Sequence, residues 1–191
     1  MNTKNTKILA LQKKKVPPQV IDLEEAVLGA LMIDKNAISE IVDILHKDCF
    51  YKEKNQEIYD ALTDLFNDAE PIDILTVTEK LKKRGKLKFC GGEIYLAELT
   101  QKVTSSAHIE FHARIIVQKY IQRKLISVSS ELISDAFDET TDVIELMDKA
   151  EREIFKITEG NIKKNYTKAN DLIHEAIKRI EKIGNEEGVS G

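Results

Sequence analysis

Tryptophan is absent from this 191-residue chain, and cysteine, proline and aromatic residues are scarce: two Cys, three Pro, and 6% Phe plus Tyr. Cys49 and Cys90 lie far apart and form no Cys-x-x-Cys pair, so the expectation is two reduced, buried thiols. No apolar run approaches the roughly 20 residues needed to span a bilayer. The N-terminus carries lysines but no apolar h-region, which argues against a signal peptide. The expectation is a soluble, cytoplasmic protein with no membrane partner. A basic excess is also missing. The formal net charge is −4, which argues against a dedicated nucleic-acid binder.

Catalytic and cofactor motifs are lacking as well. A phosphate-binding loop needs Gly-x-x-x-x-Gly-Lys-[Ser/Thr]. Here Gly85-Lys86 is followed by Leu87, with Lys80 where the upstream glycine belongs. No Gly-x-Ser-x-Gly elbow exists. His108 and His112 stand at i, i+4, but Ile109 occupies the place where a zincin has Glu. Two ligands do not make a catalytic zinc site, which usually has three. The sequence therefore predicts no catalytic, cofactor-binding or metal-binding residue in this chain. A two-histidine metalloenzyme is the weakest of the readings considered. Glu24-Glu25 reads as solvated or capping charge.

What is present is charge and helical periodicity. Charged residues make up 32% of the chain, above the globular average of about 25%. Residues 1–17 are polar and lysine-rich and read as a flexible tail ended by Pro17-Pro18. Residues 18–105 read as a globular helical domain. Its first helix begins near a capping Asp22, with Ala26, Val27, Ala30 and Leu31 inward. The second follows Asn36, with Ile38, Ile41, Val42 and Leu45 inward. The third runs from about Glu53 to Phe66 on Ile58, Leu62, Leu65 and Phe66. The fourth starts near Asp73, uses Leu75, Val77 and Leu81, and stops at Gly85. The fifth follows Gly91-Gly92 with Ile94, Leu96, Ala97 and Leu99. The basic run Lys80, Lys82, Lys83, Arg84, Lys86 and Lys88 reads mainly as solvated charge at a helix end. It is also the best support for an alternative, a helical DNA-binding module.

Residues 106–159 predict an antiparallel helical hairpin: one helix to about Phe137, a polar break at Asp138–Thr141, and a return from Asp142 to about Thr158. On the long helix Val117, Ile121, Leu125, Val128 and Leu132 share one face. Phe111, Ile115, Ile126, Ile133 and Phe137 form a second stripe about 120° away. The return helix carries Val143, Leu146, Met147, Ala150 and Ile154 on one side. One return helix covers one stripe, so the second must meet either the globular domain or another copy of the chain, and it is the expected self-association surface. Residues 160–191 predict a polar linker with an amphipathic helix over about 169–183. Its face of Leu172, Ile173, Ala176, Ile177 and Ile180 requires something to dock on. The whole is an all-α chain: a small globular helical domain, a long antiparallel hairpin and a separate linker helix.

Several segments resemble one family, in order along the chain. DLEEAVLGALMID (22–34), PIDILTVTEKLKKRGKL (71–87), CGGEIYLAEL (90–99), VTSSAHIEFHARIIVQKYIQRKLI (103–126) and EREIFKITE (151–159) resemble the N-terminal, non-catalytic part of bacterial replicative DNA helicases of the DnaB type. The family often has His at the position of Asn55 and Asn at that of His108. The resemblance implies that the N-terminal domains pair through their hairpins into a dimer, or a hexamer built as a trimer of dimers. It implies that primase and a helicase loader are partners, and that the linker helix docks on a neighbouring subunit. It also implies an ATPase domain, expected after residue 191, that uses ATP and magnesium and engages single-stranded DNA in the full-length protein.

Overall fold

The computed structural model describes residues 16–34, 36–103 and 108–159. Seven α-helices and one short 3-10 turn account for the regular structure of these residues, and none of them forms a strand. The architecture is all-α. The helices are α1 (Ile21–Ile33), α2 (Ala37–Ile41), α3 (Glu53–Asn67), α4 (Ile74–Lys83), α5 (Gly92–Gln101), α6 (Ile109–Ala136) and α7 (143–159). The 3-10 turn is Lys47–Cys49. Of the tail expected over residues 1–17, residues 1–15 lie outside the described residues, as does the linker helix expected at about 169–183. The chain divides into two compact units, one ending at Lys124 and one beginning at Leu125, and α6 contributes to both.

In the first unit α1 is the central element. Eight of its thirteen residues are buried, from Glu24 to Met32. A helix apolar on most of its circumference belongs inside a bundle, and α1 packs against α3 and α5. Around it close Ile38 and Ile41 of α2, Ile58, Leu62 and Leu65 of α3, Val77 and Leu81 of α4, and Leu96 and Leu99 of α5. Phe50 and Tyr59 fill the remaining volume with ring centroids 4.9 Å apart. The Tyr59 hydroxyl donates to the Leu45 carbonyl at 3.2 Å.

Four expectations need correction. Asp22 is not the cap of α1: the N-cap is Val20, and no side chain caps it. Leu75 and Ile94, expected inward, are 73% and 76% exposed. Each stands two residues before a buried partner, Val77 and Leu96, and is thus about 200° around its helix from it. Phe66 is also exposed.

The ends of α4 follow local chemistry. Asp73 Oδ1 accepts from the Leu75 and Thr76 amides, both at 2.9 Å, and Thr76 Oγ1 accepts from the Asp73 amide at 3.0 Å. This is a reciprocal capping box. At the other end Gly85 takes φ +67°. The Lys86 amide then returns to the Leu81 carbonyl at 2.9 Å, a closure that needs the left-handed conformation glycine adopts without penalty.

The largest departure from expectation is Glu24-Glu25, which is not solvated. Both side chains are buried. Glu24 accepts from the Tyr51 amide at 2.8 Å and from Asn55 Nδ2 at 3.1 Å. Glu25 accepts from Lys52 Nζ at 2.9 Å and from Lys102 Nζ. The Tyr95 hydroxyl lies 3.0 Å from both Glu25 Oε1 and Asn55 Oδ1. With one proton to give, it donates to the charged oxygen, where the bond is stronger. Burial alone would raise the Glu25 pKa, but the bonds from Lys102, Lys52 and Tyr95 outweigh it and hold the carboxyl at about 2. One buried polar cluster thus ties α1 to the start of α3 and to both ends of α5.

Candidate self-association surface

The hairpin begins inside the first unit. Ile109, Ala113 and Ile116 of α6 are fully buried in its core, with Val117 and Tyr120 packed beside them. This i, i+4, i+7 face is neither of the two stripes read from the sequence; it lies between them. Arg123 marks where the helix leaves that core. Its guanidinium donates to the Pro18 carbonyl at 2.9 Å and the Cys49 carbonyl at 2.7 Å.

In the second unit no described residue is buried. Its two helices meet along a half-buried seam of Val128 and Leu132 on α6 and Leu146 and Ile157 on α7. Lys149 Nζ and Asp135 Oδ2 pair across it at 2.7 Å. The turn between the helices is fixed by Asp138, whose carboxylate accepts from the Thr140 amide at 2.9 Å and hydroxyl at 2.7 Å. Asp142 then caps α7 by accepting from the Ile144 and Glu145 amides.

Helical geometry sorts the remaining side chains into two faces. Measured from the seam at about 100° per residue on two antiparallel helices, Leu125, Ile126 and Ile133 of α6 turn to the same side as Val143, Met147 and Ile154 of α7. Asp135 and Lys149 turn to the other, as their ion pair requires. The apolar side is uncovered: Val143 is 69% and Met147 68% exposed, and Leu125, Ile126 and Ile154 are also exposed. The opposite side carries Glu145, Lys149 and Arg152 around a cleft that also takes in Asp135 and Thr141. The hairpin is therefore amphipathic as a whole, greasy on one broad face and charged on the other.

Of the stripe named from the sequence, Phe111, Ile126 and Phe137 are exposed, while Ile115 and Ile133 are half-buried. Sequence reasoning missed the contribution of the return helix. Val143, Met147 and Ile154 are expected on the covering side together with Leu146 and Ala150, but they are exposed, whereas Leu146, Ala150 and Ile157 are half-buried. Among the described residues no three His, Cys, Asp or Glu converge as a metal site, and His108 and His112 meet no third ligand.

The basic run of α4 is largely neutralised. Glu57, Asp60 and Asp64, at i, i+3 and i+7 on α3, form an acidic stripe beside it. Arg84 pairs with Asp60 at 3.1 Å and with Asp64, Lys86 with Glu57 at 3.0 Å, and Lys80 with Asp68 at 2.7 Å. Lys82 lies between Glu79 and Glu93. These pairs leave little net positive field for a phosphate backbone.

A family model described as DnaB-like helicase N terminal domain matches residues 16–118. The chain is 40% identical over 181 residues to the replicative DNA helicase DnaB of Rhodothermus marinus, an alignment covering 94% of this chain and 19% of that protein. It is similar to the crystal structure of the N-terminal domain of DnaB helicase from Mycobacterium tuberculosis, with TM-score 0.71 and 32% identity, over 74% of this chain and 99% of that one. A further solved structure, of a DnaB-like replicative helicase and its interactions with primase, matches with TM-score 0.61 and 25% identity, over 72% of this chain and 30% of that chain. The chain spans 19% to 39% of the length of the curated relatives it matches. With the family model matched over more than half of its residues, the chain belongs to the DnaB-like helicase N terminal domain family.

Proposed function

We propose that this chain serves as the N-terminal collar of a hexameric replicative DNA helicase in the cytoplasm, bringing subunits together and docking primase. The observation that carries the reading is the uncovered apolar face of the hairpin. A monomer rarely leaves a contiguous patch of this kind in water, and pairing two copies face to face buries it. The stripe of Phe111, Ile115, Ile126, Ile133 and Phe137, joined by Val143, Met147 and Ile154, is the proposed contact. A symmetric pairing makes the same patch serve both copies, and closing pairs into a ring multiplies weak contacts through effective concentration.

The similarity to the solved structure of a DnaB-like replicative helicase and its interactions with primase supports primase as a partner. The similarity to replicative helicases supports an ATP- and magnesium-dependent motor in the full-length protein, with single-stranded DNA as its track and a loader as a further partner. The chain itself supplies assembly, and the face of Leu172, Ile173, Ala176, Ile177 and Ile180 is the proposed dock to a neighbouring subunit. A DNA-binding module is disfavoured by the carboxylates that pair with Lys80, Lys82, Arg84 and Lys86. Sedimentation over a range of concentrations tests the reading: the chain associates into dimers or larger even-numbered assemblies and retains purified primase. A strictly monomeric chain at high concentration rejects it.

A further inference from the structure

Three cations on α6 face no carboxylate. From Phe111 to Ser130 the helix carries Arg114, Lys119, Arg123 and Lys124 and neither Asp nor Glu. Arg114 pairs with Glu110 at 2.7 Å. The other three have no carboxylate within ion-pair distance among the described residues. Lys119 Nζ donates to Gln122 Oε1 at 3.3 Å. Arg123 donates to two neutral carbonyls, so its charge stays uncompensated. Lys124 is exposed. This is the reverse of Lys80, Lys82, Arg84 and Lys86, each of which sits against a carboxylate.

Aromatic rings lie among these cations. Lys124 Nζ is 5.6 Å from the Tyr120 ring centroid, and the Arg123 guanidinium is 5.6 Å from that of Tyr51 and 6.0 Å from that of Tyr120. His46 and Tyr120 meet edge to face at 4.9 Å. Asp48 is a carboxylate beside this group, 3.8 Å from His46. A second source of positive charge joins the chain here. Pro18, whose carbonyl Arg123 holds, directly follows a stretch, residues 1–17, with five lysines and no Asp or Glu.

We propose that this face is a binding surface for single-stranded nucleic acid. Lys119, Arg123, Lys124 and the lysines of residues 1–15 meet phosphates, and Tyr120, Tyr51 and His46 offer rings to bases. The surface is distinct from the motor expected of the full-length protein and from the hairpin face that pairs copies. Rings interleaved with cations favour a nucleic acid over an acidic polypeptide, because bases stack on aromatic faces and carboxylates do not. A lysine-rich arm also suits a linear polyanion. The net charge of −4 weakens the attraction without cancelling it, because screening limits each charge to a range of about 10 Å at 0.1 M salt.

The test is fluorescence anisotropy of a labelled oligothymidylate titrated with the whole chain between about 50 and 200 mM salt. Binding is expected at low salt and falls steeply as salt rises. Lys119→Gln with Lys124→Gln weakens it severalfold and lowers the salt slope by about 1.4, two phosphate contacts at roughly 0.7 each. Lys13→Gln, Lys14→Gln and Lys15→Gln together weaken it as well. Lys82→Gln with Lys86→Gln removes the same net charge as the α6 pair, but from cations already matched, and leaves binding nearly unchanged. The triple variant leaves every described residue in place, so the test stands even if the α6 variant unfolds. No binding at low salt, an unchanged affinity in either of the first two variants, or equal weakening by the Lys82 and Lys86 pair overturns the proposal. So does an oligoglutamate of equal length that competes as well as unlabelled oligothymidylate, which would assign the face to an acidic protein.

Discussion

Gly29 of α1 faces the backbone of Leu99 in α5 so closely that a methyl group on Gly29 would stand 2.7 Å from the Leu99 carbonyl carbon and 2.8 Å from Val103 Cγ2, and nearer still to the Leu99 carbonyl oxygen. Two helices touch here backbone to backbone, which only the absence of a side chain permits. Gly29→Ala gains helix propensity of at most about 1 kcal/mol. It must also push the helices apart through a packed core, which costs about 1–3 kcal/mol or more. Urea denaturation is expected to show net destabilisation, and an unchanged or raised midpoint would contradict the close approach.

The Glu25 cluster makes a pH-dependent prediction. The bonds from Lys102, Lys52 and Tyr95 hold the folded carboxyl at about 2, well below the 4.5 of an ordinary glutamate. A depressed acid pKa contributes stability that is present above about pH 4.5 and is lost as pH falls toward 2. A shift of that size corresponds to a ceiling on the order of 3 kcal/mol, reduced because Lys102 is half exposed to screening solvent. Glu25→Gln is expected to be clearly less stable than the parent at pH 7, with the two curves converging as pH drops. A constant gap between pH 7 and pH 3 would assign the loss to packing instead of charge.

Much of this architecture was legible in the chain. Positions of α1 to α5 and α6 followed from apolar spacing, because each short helix buries one face and its stop signals are local, such as Asp73 and Gly85. The failures have physical causes. Leu75 and Ile94 belong to the apolar spacing of their helices, yet a two-residue step from Val77 and Leu96 turns them to the far side. The core face of Ile109, Ala113 and Ile116 was overlooked because two longer stripes on the same helix are richer in Leu, Ile and Phe. Burial of Glu24 and Glu25 was beyond local reading, since their partners Tyr51, Asn55, Tyr95 and Lys102 stand 27 to 77 positions away. On the candidate surface, the α6 half was visible as a stripe. The α7 half was not, because which side of an apolar return helix stays outside depends on its rotation about the seam.

The capping box of α4 isolates a local effect. Asp73→Ala removes the acceptor for two amides at the helix start, and such losses cost about 1 kcal/mol. Thermal unfolding is expected to fall by a few degrees for Asp73→Ala, and by much less for Asp73→Asn or Asp73→Ser, which cap nearly as well. Equal losses for all three would point away from capping.

The hairpin face yields the sharpest contrast. Ile126→Asp or Met147→Asp places a charge in the middle of the uncovered apolar side, where pairing of copies would desolvate it at a cost of several kcal/mol. Neither side chain belongs to the buried core, so the helical far-ultraviolet signal is expected to persist while sedimentation shifts toward monomer. Arg152→Asp reverses a charge on the opposite face and is expected to leave association intact. Because Met147 lies on the return helix and Ile126 on the long one, loss of association in only one of the two would reduce the contact to that helix. Loss in Arg152→Asp alone would place the contact on the charged side.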